Sequence, residues 1–125
     1  MNIYEYIAMI QKKPWLYLWE NSIRLLRVDL YAYYLYPYYN NIDIVREQPP
    51  FNLLHDYIAL VHNIEQQWPK WWSLILIEKY WDTLEALDKF FEHLDDFKEL
   101  FWPMTQEEMI AYFDQRWYDV RSRFE

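Results

Sequence analysis

Glycine and cysteine are both absent from this chain of 125 residues. Glycine supplies positive φ and lets backbone approach a ligand closely. Without it there is no phosphate-binding loop, no dinucleotide fingerprint and no nucleophile elbow of the usual form. Hairpin turns would have to rest on Asn or Asp, which counts against an all-β fold. Helices must end by other means, such as Asn, Pro or fraying. The lack of cysteine excludes a disulfide framework and a zinc–thiolate site, and it fits a reducing compartment.

Long apolar runs are also missing. The longest near-apolar stretch, 68–77, is broken by Pro69, Lys70 and Ser73, whereas a membrane span needs about 18 or more apolar residues. The N-terminus reads Met1-Asn2-Ile3-Tyr4-Glu5. With no basic region before an apolar one, it does not resemble a signal peptide. A soluble cytoplasmic protein is expected. Basic residues are outnumbered, 12 Lys and Arg against 20 Asp and Glu, for a formal charge of −8. Such a chain is poorly suited to neutralising phosphates, so direct nucleic-acid binding is not expected. A basic protein partner suits it better.

What is present is aromatic and helical. Hydrophobic residues make up 54% of the chain and aromatics 22%, enough for one compact domain at this length. Ile3, Ile7 and Ile10, with Tyr6 beside them, predict a helix over 2–13, capped by Asn2 and ended by Pro14. Ser22 or Asn21 opens a second, with Ile23, Leu26, Leu30, Tyr33 and Tyr34 on one stripe, running to about Tyr36 and closed by Pro37. Residues 15–21 read as a connector and 40–50 as a loop. Leu54, Ile58, Val61 and Ile64 or Glu65 set a third helix over 51–67. A fourth, 69–80, is apolar on most sides and is expected to be the most buried. A fifth starts at Asp82-Thr83-Leu84-Glu85, with Asp82 in the capping position, and runs to Trp102 before Pro103. A sixth opens with the capping box Thr105-Gln106-Glu107-Glu108 and carries Met109, Ile110, Phe113, Trp117 and Val120 to the chain end. The expected fold is therefore all-α: a single-domain bundle of five to six helices with short loops over 1–125.

The charge is unevenly placed. Residues 82–102 hold seven acids and two bases, a net of −5, whereas 1–50 hold five of each. At about 100° per residue, Glu85, Asp88, Glu92, Asp95, Asp96 and Glu99 fall on one face of the fifth helix. Leu84, Leu87, Phe90, Phe91, Leu94, Phe97 and Phe101 fall on the other. Like charges three and four apart repel by a few tenths of a kcal/mol, and Lys89 and Lys98 relieve only part of that. A solvated face is the bland reading of such a stripe and a docking surface the sharper one.

Catalytic chemistry finds little support. His55 and His62, seven apart, would share a face of the third helix, with Glu65 following. No second helix offers matching ligands, so no metal site is expected. The neighbouring carboxylates Asp95-Asp96 and Glu107-Glu108 diverge on a helix. Ser22, Ser73 and Ser122 sit in no nucleophile motif, and Ser22 reads as a cap. No catalytic residue, cofactor or metal is assigned. The eight tryptophans, at 15, 19, 68, 71, 72, 81, 102 and 117, exceed what one small core buries. Most are expected at helix junctions near prolines, and some could anchor a partner. Base stacking on Tyr36, Tyr38 or Tyr39 is disfavoured by the charge.

The run Tyr6-Ile7-Ala8-Met9-Ile10-Gln11-Lys12-Lys13-Pro14-Trp15-Leu16-Tyr17-Leu18-Trp19-Glu20-Asn21-Ser22-Ile23, followed by Leu26 and Tyr31-Ala32-Tyr33, resembles a group of small bacterial proteins. Phe51 onward, the stretch 72–77, Ala86-Leu87-Asp88-Lys89-Phe90-Phe91 and Leu94-Asp95-Asp96-Phe97 extend the likeness to roughly 100 residues. Where that pattern carries glycine near Trp15, Trp19 and Ala32, this chain has none. Such proteins serve as immunity proteins in contact-dependent growth inhibition and polymorphic toxin systems. The resemblance implies a toxin inhibitor that binds a cognate toxin domain, often a basic nuclease. It agrees with the charge pattern, which assigns the contact first to Glu85, Asp88, Glu92, Asp95, Asp96 and Glu99. A second candidate contact is the tyrosine-rich stretch with Tyr36, Tyr38 and Tyr39 and the loop to Arg46. The alternatives are a helical adaptor or regulatory subunit that binds a basic non-toxin protein, an enzyme, and a self-associating structural protein.

Overall fold

The computed structural model describes residues 2–13, 22–39, 48–66 and 71–124, with backbone alone for 34–39. Six α-helices run through these residues: α1 Ile3–Lys12, α2 Ile23–Tyr39, α3 Leu53–Val61, α4 Trp72–Tyr80, α5 Leu84–Phe101 and α6 Gln106–Asp114. A 3₁₀ turn, Arg121–Phe124, follows them. No strand occurs among the described residues, and the all-α expectation holds.

Helix starts follow local chemistry. Asn2 accepts from the Glu5 amide at 2.9 Å and caps α1. Thr105 and Glu108 form the reciprocal capping box of α6, with bonds of 3.1 and 3.2 Å. Ser22 accepts from the Leu25 amide at 3.2 Å at the head of α2. These bonds satisfy amides that a helix start leaves orphaned. The start of α5 departs from expectation, because Thr83, not Asp82, accepts from Ala86. Asp82 instead reaches the head of α2, accepting from the Ile23 amide at 2.7 Å and the Ser22 hydroxyl at 2.8 Å. A carboxylate placed there also favours the positive end of the helix dipole.

Helix ends depart further. The backbone of α2 continues past Pro37 to Tyr39; proline deletes one ladder bond but its φ is helical, so near a helix end it need not stop the chain. Helix α3 stops at Val61 rather than near Gln67, and Val61 is exposed. Asn63 takes φ 57° there, and Ile64 and Asn63 donate to the carbonyls of Ala59 and Leu60. That paired pattern is a Schellman cap with Asn in the left-handed position. Helix α6 ends the same way. Trp117 has φ 67°, while Tyr118 and Trp117 donate to Phe113 and Asp114. Trp117, expected on the core face, is 92% exposed as a result. The chain then doubles back instead of continuing as helix.

Buried residues from all six helices join one apolar cluster, with Phe90, Phe97, Phe101 and Phe113 fully enclosed. Phe101 stacks on Phe113 at 5.5 Å and meets Tyr57 edge-on at 5.9 Å. Burying one such ring is worth about 1.5–3 kcal/mol. The most buried helix is α3, with every residue from Leu53 to Ala59 enclosed. Helix α4, expected in that place, leaves Leu74 in solvent. Leu84, assigned to the apolar side of α5, is also half-exposed, because it stands in the first turn beyond the packed region.

Candidate functional site

The apolar side of α5 fixes its orientation. Leu87, Phe90, Phe91, Leu94, Phe97 and Phe101 are all buried, so the opposite face must look outward. Glu85, Asp88, Glu92, Asp95, Asp96 and Glu99 are all exposed there. Lys89 pairs with Glu92 at 3.3 Å and Lys98 with Asp95 at 4.0 Å. Glu85, Asp88, Asp96 and Glu99 make no ion pair among the described residues. Both lysines also lie by aromatic rings, Lys89 over Tyr80 at 6.0 Å and Lys98 over Tyr4 at 5.8 Å. Their charges are thus drawn to the edges of the stripe.

A groove of about 450 Å³ lies along this face, lined by Gln11 of α1 and by Leu84, Leu87, Asp88, Phe91, Glu92 and Asp95 of α5. Three carboxylates stand over an apolar floor. Chemically, that combination is suited to a long cationic side chain, with apolar surface for its stem and carboxylates for its head. Tyr36, Tyr38 and Tyr39 fall on the last turn of α2, and their side chains lie outside the described residues, as does the loop to Arg46.

A second cleft, of about 230 Å³, opens between α3 and the returning C-terminal segment. Arg123 grips the buried Asp56 through two bonds, of 2.8 and 3.3 Å. Gln66 clamps the backbone of Asp119 from both sides, donating at 2.6 Å and accepting at 2.7 Å. His55, Asp56 and Ser122 line this cleft together. Among the described residues no hydrogen bond links the three, and His55 Nδ1 and the Tyr118 hydroxyl are buried with no partner there. Burial lowers the pKa of His55, with Asp56 opposing, and burial raises that of Tyr118. With Asp56 held by Arg123, the hydrogen-bonded relay of a nucleophilic triad is not assembled.

The pairing of histidines differs from the sequence expectation. Because α3 ends at Val61, His62 is its C-cap and does not continue the face of His55. Its ring turns to α5, with Nε2 3.1 Å from His93 Nε2. No group of three or more His, Cys, Asp or Glu residues placed to hold a metal occurs among the described residues.

Four tryptophans mark helix ends: Trp71 and Trp81 flank α4, Trp102 caps α5 and Trp117 follows α6. All four are exposed and only Trp72 is buried among those described. They stand at junctions, as expected, but outside the packing. No described helix is long and apolar enough to cross a membrane. No protein-family model matches the chain, and neither a curated protein nor a solved structure matches it.

Proposed function

We propose that this protein is a cytoplasmic immunity protein that neutralises a cognate bacterial toxin domain, a basic nuclease, by stoichiometric contact through the acidic face of α5. The observation that carries this reading is the spacing of charge against packing. Six carboxylates share the outward face of a helix whose inward face is locked into the core. Four of them lack a cationic partner among the described residues. The groove beside Asp88, Glu92 and Asp95 offers both an apolar floor and negative walls. Complementary charge speeds encounter and selects the partner. The likeness of segments across the sequence to immunity proteins agrees with it.

The test is a low-salt affinity purification of the tagged protein from its native bacterium, alongside a variant carrying Asp88→Lys, Glu92→Lys and Asp95→Lys. The expected result is a basic polypeptide retained near one-to-one by the unaltered protein and lost by the variant. Co-expression of that polypeptide then arrests growth with the variant and not with the unaltered protein. A retained partner without toxicity would replace this reading with that of a helical adaptor.

A further inference from the structure

His62 closes α3, Lys79 belongs to α4 and His93 to α5. Their side chains meet in a chain: Lys79 Nζ lies 3.4 Å from His62 Nδ1, and His62 Nε2 lies 3.1 Å from His93 Nε2. The two imidazoles stand nearly perpendicular, at 88°, with centroids 5.1 Å apart.

Hydrogen-bond logic assigns every proton in this chain. A lysine ammonium only donates, so His62 Nδ1 must accept. Neutral His62 then carries its proton on Nε2 and donates it to His93. His93 Nε2 accepts, which leaves its own proton on Nδ1. The arrangement works only while both rings are neutral. A proton on His62 would set Nδ1–H against the ammonium, and one on His93 would set Nε2–H against the Nε2–H of His62.

We propose that His62, His93 and Lys79 form a proton-sensitive latch that joins α3, α4 and α5 in neutral solution and releases on acidification. The surroundings agree with it. Burial is the main cause lowering the pKa of both histidines from 6.5. His93 and Lys79 lower that of His62 further. For His93, Glu92 and Asp96 raise it while Lys89 and Lys79 lower it, and burial prevails. A histidine whose folded pKa lies below 6.5 binds protons first in the unfolded chain. The latch therefore contributes fully above about pH 6.5, and its contribution drains away as the pH falls below that value. His55, whose pKa burial also lowers, adds the same sign and is kept constant in every variant. The latch does not depend on the partner reading, because its test uses the free protein.

The test has two parts. Long-range ¹⁵N–¹H NMR of the unaltered protein at about pH 7.5 should find His62 as the Nε2–H tautomer and His93 as the Nδ1–H tautomer, both titrating below 6.5. Thermal melts at about pH 7.5 and about pH 5.5 should show His62→Gln and His93→Gln each losing part of the unaltered protein's acid-induced drop in Tm, and the double variant losing more than either alone. A double loss smaller than the sum of the two single losses marks one coupled unit. The opposite tautomers, titration at or above 6.5, or single effects that simply add would overturn the proposal. The NMR part needs no variant, so a variant that fails to fold leaves it decisive.

Discussion

Along α5, six carboxylates stand in solvent with two lysines at their edges. In the C-terminal return, Arg121 binds Asp114 at 2.7 Å and Asp119 at 3.1 Å, while Arg123 binds Asp56 of α3 at 2.8 Å. The same residue types do different work in the two regions. In the return, charges are matched and fasten a segment without regular helix to the body. On α5, the helix is already fastened by its aromatic side, so its acids are not needed for folding. Hydrogen bonds from Arg121 hold the Asp119 carboxyl below its ordinary range. In the return each of these charged groups has its partner in the fold, whereas four of the α5 acids have no cationic partner among the described residues.

The largest expected effect separates the two regions by stability. Arg123→Met leaves the Asp56 carboxylate, 3% exposed, buried without its cation, and should cost about 3 kcal/mol in chemical denaturation. The next sharpens the account of the return itself. Trp117 holds φ 67° and touches little, being 92% exposed. Trp117→Gly should stabilise the protein by roughly 1 kcal/mol, because glycine occupies that backbone region without the side-chain clash. The smallest is expected on α5. Neutralising Asp88, Glu92 and Asp95 to Asn, Gln and Asn should leave the melting temperature unchanged or slightly raised, since like-charge repulsion is relieved.

Much of this was legible in the sequence, for reasons that differ by residue. Asn2 and Thr105 act on amides within three residues, so their caps follow from local pattern. The α5 stripe follows from helical period, because six buried residues leave the acids only one direction. Asp82 was assigned to its own helix because its actual partners, Ser22 and Ile23, lie about 60 residues away. The ends of α3 and α6 were missed because the left-handed cap is taken by Asn63 and Trp117 in a chain without glycine. Asn carries a weak signal for that role and Trp carries none. The His62–His93 contact could not be read from spacing, since it depends on where α3 stops. The greater burial of α3 than of α4 likewise depends on tertiary packing, which periodicity does not encode.

The claim that α5 presents its acids to a basic partner is tested most directly by isothermal titration of the purified partner domain at two salt concentrations. The account predicts that Asp88→Lys, Glu92→Lys and Asp95→Lys together weaken binding by at least about 100-fold at low salt and flatten its salt dependence, with folding intact. Equal affinity and an equal salt slope for the variant would contradict it, and would make the acidic face an ordinary solvated surface.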